Sequence, residues 1–85
     1  MKKYRPRMIV EASRLIGMSV HEDGEIAFII EEKNPDNTNV VIVCPSSIVD
    51  VYQPKAGDYL ARDPAGEYMI LQGWVIDNLY EEIDA

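Results

Sequence analysis

The sequence predicts a β-rich α+β fold: a small antiparallel sheet, strongly curved or rolled into a partly open barrel, with a short helix at the C-terminal end. Three observations predict it. Short runs of alternating or β-branched apolar residues recur along the chain. Clusters of Asn, Asp, Pro and Gly separate them. The apolar spacing changes from two to four only after Gly73. Eighty-five residues make one domain, 1–85, which has room for a core but not for a substrate cleft with a second lobe.

Residues 1–7, MKKYRPR, read as a flexible basic arm. Strands are expected within 8–53. Met8, Val10 and Ala12 alternate with Ile9, Glu11 and Ser13, the period of a half-buried strand, although Ala12–Ile16 also suits the start of a helical turn. Residues 17–33 have two readings. Ser19 followed by Glu22 resembles a capping box, with Ile26, Ile29 and Ile30 as the inner face of a short helix near 24–33. Alternatively, GEIAFIIEE, NPDNTN and VVIVC form two strands and a turn, and pattern alone favours this hairpin because Gly24 falls inside the proposed helix.

VVIVC is continuously apolar and β-branched, as expected of a strand covered on both faces and stopped by Pro45. SIVDVYQ alternates Ile48, Asp50 and Tyr52 against Val49, Val51 and Gln53, which predicts another strand ending at Pro54. A hairpin is expected over 58–71, with YLAR and EYMIL joined by DPAG, where Pro64 supplies a preset φ and Gly66 the exit conformation. A four-residue connection sets Arg62 opposite Glu67 and Leu60 opposite Met69. In WVIDNLY, Val75 with Leu79 and Ile76 with Tyr80 lie four apart, which predicts a helix over 74–80.

Fifteen acids against eight Lys and Arg give a net charge of -7, and four of those bases lie in the first seven residues. The body is therefore strongly acidic, which disfavours direct nucleic-acid binding and suits a partner with a basic surface. The longest apolar run is too short to span a membrane, and no signal-peptide pattern follows the basic start, so a soluble, unprocessed protein is expected. A lone cysteine, Cys44, fits a reducing cytoplasm.

No residue pattern signals catalysis. His21 and Cys44 are the only imidazole and thiol, and Cys44 ends an apolar run, where a free cysteine packs as a small hydrophobe. HEDGE offers one imidazole among carboxylates without metal-site spacing, and Gly57 and Gly66 are isolated turn glycines rather than a phosphate loop. Neither a metal nor a cofactor is expected. Trp74 is a candidate interface anchor or a cover for the sheet edge, and Tyr59, Tyr68 and Tyr80 are candidates for the core rim.

The start KYRPRMIVEA and the later GDYLARDPAGEYMILQGWVIDNLYEEI resemble a family of small proteins encoded by bacteriophages and prophages. Gly57, Asp58 and Tyr59 match its G-D-Y element, Gly66 and Glu67 its G-E, and Tyr80 and Glu81 its closing Y-E. The chain departs from the pattern at Ala56, at Ile70–Gly73 and at Ile76. The resemblance implies phage origin, a small β-rich fold and a helix rather than a strand at 24–33, but no reaction. It includes Asp58 and Glu67, as a polar site at the hairpin mouth or, the favoured reading, as a turn-bonding acid and a partner for Arg62.

The function expected is that of a non-enzymatic phage accessory protein in the cytoplasm of an infected or lysogenic cell. It binds a host protein complex through an acidic surface, as an inhibitor of a defence system of anti-CRISPR or anti-restriction type. Glu22, Asp23, Glu25, Glu31, Glu32 and Asp36 form one acidic set and Glu81, Glu82 and Asp84 a second, with Trp74 as anchor. The alternative is a phage structural or assembly accessory or a self-associating module, such as a homodimer. A lower-ranked reading has the basic arm bind nucleic acid.

Overall fold

The computed structural model of the chain describes residues 1–3 and 9–83. Its elements are β1 (Glu11–Val20), β2 (Glu25–Lys33), β3 (Asn39–Pro45), α1 (Ser47–Tyr52), β4 (Tyr59–Arg62), β5 (Tyr68–Leu71) and α2 (Gly73–Leu79). The strands form one antiparallel sheet in the order β3-β2-β1-β4-β5. The β-rich α+β class, the open curved sheet and the short C-terminal helix are as the sequence predicts. The basic arm falls largely on 4–8, outside the described residues, as does Met8.

The long first strand organises the sheet. Glu11–Arg14 pair with β4 on one side, and the rest of β1 pairs with β2 on the other, with the register shifting between Leu15 and Gly17. Such an irregularity adds a residue to one strand, increases the local twist and bends it. The Leu15 N–H, at the bend, donates to the carbonyl of Asp58 at 2.8 Å. One strand thus turns from one half of the sheet into the other, while β3 and β5 are the outer strands, each paired on one side only. Strand order and a helix following β3 give the layout of a partly open five-stranded barrel of OB type.

Leu15, Phe28, Ile30, Cys44, Ile48, Leu60 and Ile70 make the core, drawn from every strand and from α1. Phe28 is fully enclosed. The register explains the selection: Phe28 lies opposite Met18 and Ile42, and Ile26 opposite Val20 and Cys44, so alternate residues of β2 share the inner face.

Four local expectations are corrected. Residues 25–33 are strand, as the residue pattern favours, and not the helix that the resemblance implies: Gly24, at φ 78°, closes the turn before β2, and Ile26, Phe28 and Ile30 alternate inward. SIVDVY is helix, not strand. The segment after Pro45 pairs with no strand: the Val49 N–H donates to the Ser46 carbonyl and the Gln53 N–H to the Val49 carbonyl, and Gln53 in the left-handed region ends α1. Only Ile48 of α1 is buried, and the helix packs on β5 across the open side of the sheet.

The β4–β5 hairpin is one residue out of the expected register, with Leu60 opposite Ile70 and Arg62 opposite Tyr68. Its loop spans 63–67: the Gly66 N–H donates to the Asp63 carbonyl, and the Asp63 N–H to the Glu67 carbonyl. Gly66 at φ 86° holds the extra residue. Arg62 therefore meets Glu11 of β1 at 2.9 Å rather than Glu67. Finally, β3 is covered on one face only: Cys44 is buried, whereas Val41 and Val43 are 51% and 39% exposed.

Candidate functional site

The six acids of the first set do not share one surface. Glu22 and Asp23 lie in the β1–β2 turn and Glu25 at the start of β2, whereas Glu31 and Glu32 lie at its far end and Asp36 in the β2–β3 turn. Along β2, the six residue steps from Glu25 to Glu31 separate the two groups by roughly 20 Å. Asp36 is committed to its own turn: its carboxylate accepts from the Thr38 N–H at 3.1 Å and from the Thr38 hydroxyl, and these bonds hold its pKa below the ordinary range. Glu81 and Glu82 are exposed beyond α2, and Asp84 lies outside the described residues.

Asp58, 4% exposed, is the one buried charged residue among those described. Its carboxylate accepts the Lys55 N–H at 3.0 Å, and its own N–H donates to the Lys55 carbonyl at 3.0 Å. Both bonds close the turn that leads into β4. Glu67 is exposed and offers its backbone N–H, not its carboxylate, to Asp63 at 2.9 Å. Asp58 and Glu67 thus serve separate turns.

Nucleophile chemistry is equally unprepared. Cys44 is buried in the core, and burial pushes its thiol above the ordinary range, opposite to what a thiolate nucleophile needs. His21 is exposed at the end of β1, in the turn. Among the described residues no three of His, Cys, Asp and Glu are placed to hold a metal ion, and no helix is long and apolar enough to cross a membrane.

What the fold does present is apolar surface. Trp74 does not cover the sheet edge: it is 58% exposed on α2, its indole N–H donating to the side chain of Gln72 two residues earlier. Tyr59, Tyr68 and Tyr80 are half-buried. No residue of α2 is buried, and Gly73 seats the helix start, since a Cβ there would come within 2.9 Å of the Gly57 carbonyl oxygen. A broad groove runs between α2 and the start of β1, with Ile9, Val75, Ile76 and Ile83 along it and Glu81 and Glu82 at its rim. A second apolar surface is the outer side of β3, where Val41 lies opposite Ile29 and Val43 opposite Ala27. Sequence reasoning missed both. The signal for the second was present in the charge-free run Asn39–Val49, but such a run marks a strand without saying which neighbours it has.

No family model matches the chain, and no curated protein matches it in sequence. Its fold is similar to that in the NMR solution structure of the monomeric form of the phage L decoration protein, with a TM-score of 0.55 at 18% identity. The similarity covers 89% of this chain and 53% of the other, so the chain spans about half the length of that protein.

Proposed function

We propose that this chain is a non-enzymatic phage accessory protein that docks on a larger protein assembly, with the outside of a phage capsid as its target. The observation that carries this reading is the fold similarity to a phage decoration protein over 89% of the chain. The chemistry of the surface supports it. Titratable groups are dispersed or used in turns, while Trp74, Val41, Val43 and Leu79 expose apolar area of the kind that protein contacts bury.

The OB-type layout also serves oligonucleotide binding elsewhere, through the face of strands 2 and 3 and the β1–β2 and β4–β5 loops. Here those loops carry Glu22, Asp23, Asp63 and Glu67, which repel phosphate. Inhibition of a host nucleoprotein complex rests on net charge alone, and the division of the first acidic set between the two ends of β2 weakens it.

The test is co-sedimentation with capsids of the phage that carries the coding sequence, assembled without it. Saturable binding at a fixed number of copies per capsid is expected. Protein that stays in the supernatant at tens of micromolar overturns the reading, and retention on a host nucleoprotein complex instead transfers it to the inhibitor role.

A further inference from the structure

We propose that β3 is a dimer edge: two copies of this chain pair β3 against β3, antiparallel about a two-fold axis at Ile42, and join their sheets into one of ten strands. The strand that the sequence marks as covered on both faces is, in the fold, an outer strand bonded only to β2. Beyond that ladder, no backbone hydrogen bond among the described residues reaches Val40–Cys44.

Edge strands of monomeric proteins are guarded by charge, by shortness or by a covering element. β5 has such guards: it is four residues long, follows Glu67 and has α1 packed on it. β3 is seven residues long and carries no charged residue, and its one blunting feature is Pro45 at the end. Four successive residues, Val40, Val41, Ile42 and Val43, are β-branched and suited to pairing.

A second copy fits this edge better than an unrelated strand. The two-fold sets Val41 opposite the partner's Val43, and the reverse, so the exposed valines cover each other. At one end of β3 Lys33 leans over the strand, its Nζ donating to Asn39 Oδ1 at 2.9 Å. At the other end Glu25 lies beside Pro45. Antiparallel pairing brings the Asn39 end of each copy to the Pro45 end of the other, with Lys33 and the partner's Glu25 three strand spacings apart, about 14 Å, so that this pair adds no direct contact. A chain of net charge -7 repels its own copy over most of its surface. The β3 ladder itself is uncharged, whereas the acids at the two ends of β2 face their opposite numbers across it, so added salt should strengthen dimerisation. Because the contact is isologous and β5 is guarded, association closes at two.

A single strand pair buries less than a standard interface, so the dimer should dissociate on dilution. The inference concerns the protein alone and does not depend on capsid binding. Sedimentation equilibrium of the purified chain should show a mass rising with concentration from 9.6 kDa towards twice that value and no further. Val43→Lys and Val41→Lys, both at exposed positions, should fold as the wild type does but weaken dimerisation at least tenfold. An equimolar mixture of Val41→Cys and Val43→Cys should form a disulfide-linked dimer faster than either variant alone, because the register pairs 41 with 43. A wild-type monomer at millimolar concentration overturns the proposal, and so does a dimer that survives both lysine variants or an open-ended polymer.

Discussion

Asp58 and Cys44 show how single residues in this chain are given to structure rather than to chemistry. The Asp58 carboxylate holds the Lys55 N–H while the Asp58 carbonyl holds Leu15 at the bend of β1, so one residue ties the turn before β4 to the strand it must meet. Replacing it by Ala leaves the partly buried Lys55 N–H without this partner, and Asp58→Ala should lower stability in urea by about 1–2 kcal/mol, with Asp58→Asn recovering part of the loss. Cys44 makes a pH prediction. Its folded pKa is raised by burial, so its contribution is whole below the ordinary thiol pKa of about 8.5 and is lost as pH rises through the folded value. The stability gap between wild type and Cys44→Ala should therefore narrow as pH rises above about 8.5, and a constant gap would show that solvent reaches the thiol. Both environments were partly legible in the sequence, because a G-D turn before a strand and a cysteine closing an apolar run are local patterns.

At the scale of elements, local signals succeeded where backbone chemistry decides and failed where a distant neighbour decides. Asp63-Pro64-Ala65-Gly66 announces a turn, and the structure places one there. The register depended on whether the loop held four residues or five, which Gly66 settles by taking φ 86°. Gly66→Ala should cost roughly 1–2 kcal/mol for the left-handed conformation, and Gly66→Asn less, both read from denaturant midpoints. The same slip decides the partner of Arg62. A double-mutant cycle should find coupling between Arg62 and Glu11, weakening with salt, and none between Arg62 and Glu67. The helix α1 was illegible for another reason. Its alternation and β-branching favour a strand, but a strand needs a ladder, and the chain between Pro45 and Pro54 joins none and lies as a helix against β5.

For the whole molecule, net charge was legible but its layout was not, since six acids close in sequence become two groups at opposite ends of a nine-residue strand. That separation makes the docking reading testable beyond simple binding. A small convex body resting on a broad capsid surface offers one end of β2 to it, not both. Reversal of Glu22 and Asp23 to Lys, and separately of Glu31 and Glu32 to Lys, should therefore act unequally on capsid co-sedimentation, with one pair weakening it and the other leaving it unchanged. A partner that encloses the protein in a basic channel predicts instead that both reversals weaken binding, each more strongly at low salt than at high, because exposed charges are screened beyond about 8 Å at physiological ionic strength. Where apolar contact dominates, the affinity of the wild type should change little with salt, since burial of Trp74, Leu79 or the valines displaces water rather than counterions. Equal losses from both reversals, with steep salt dependence in the wild type, would move the function from capsid docking to occupation of a charged groove.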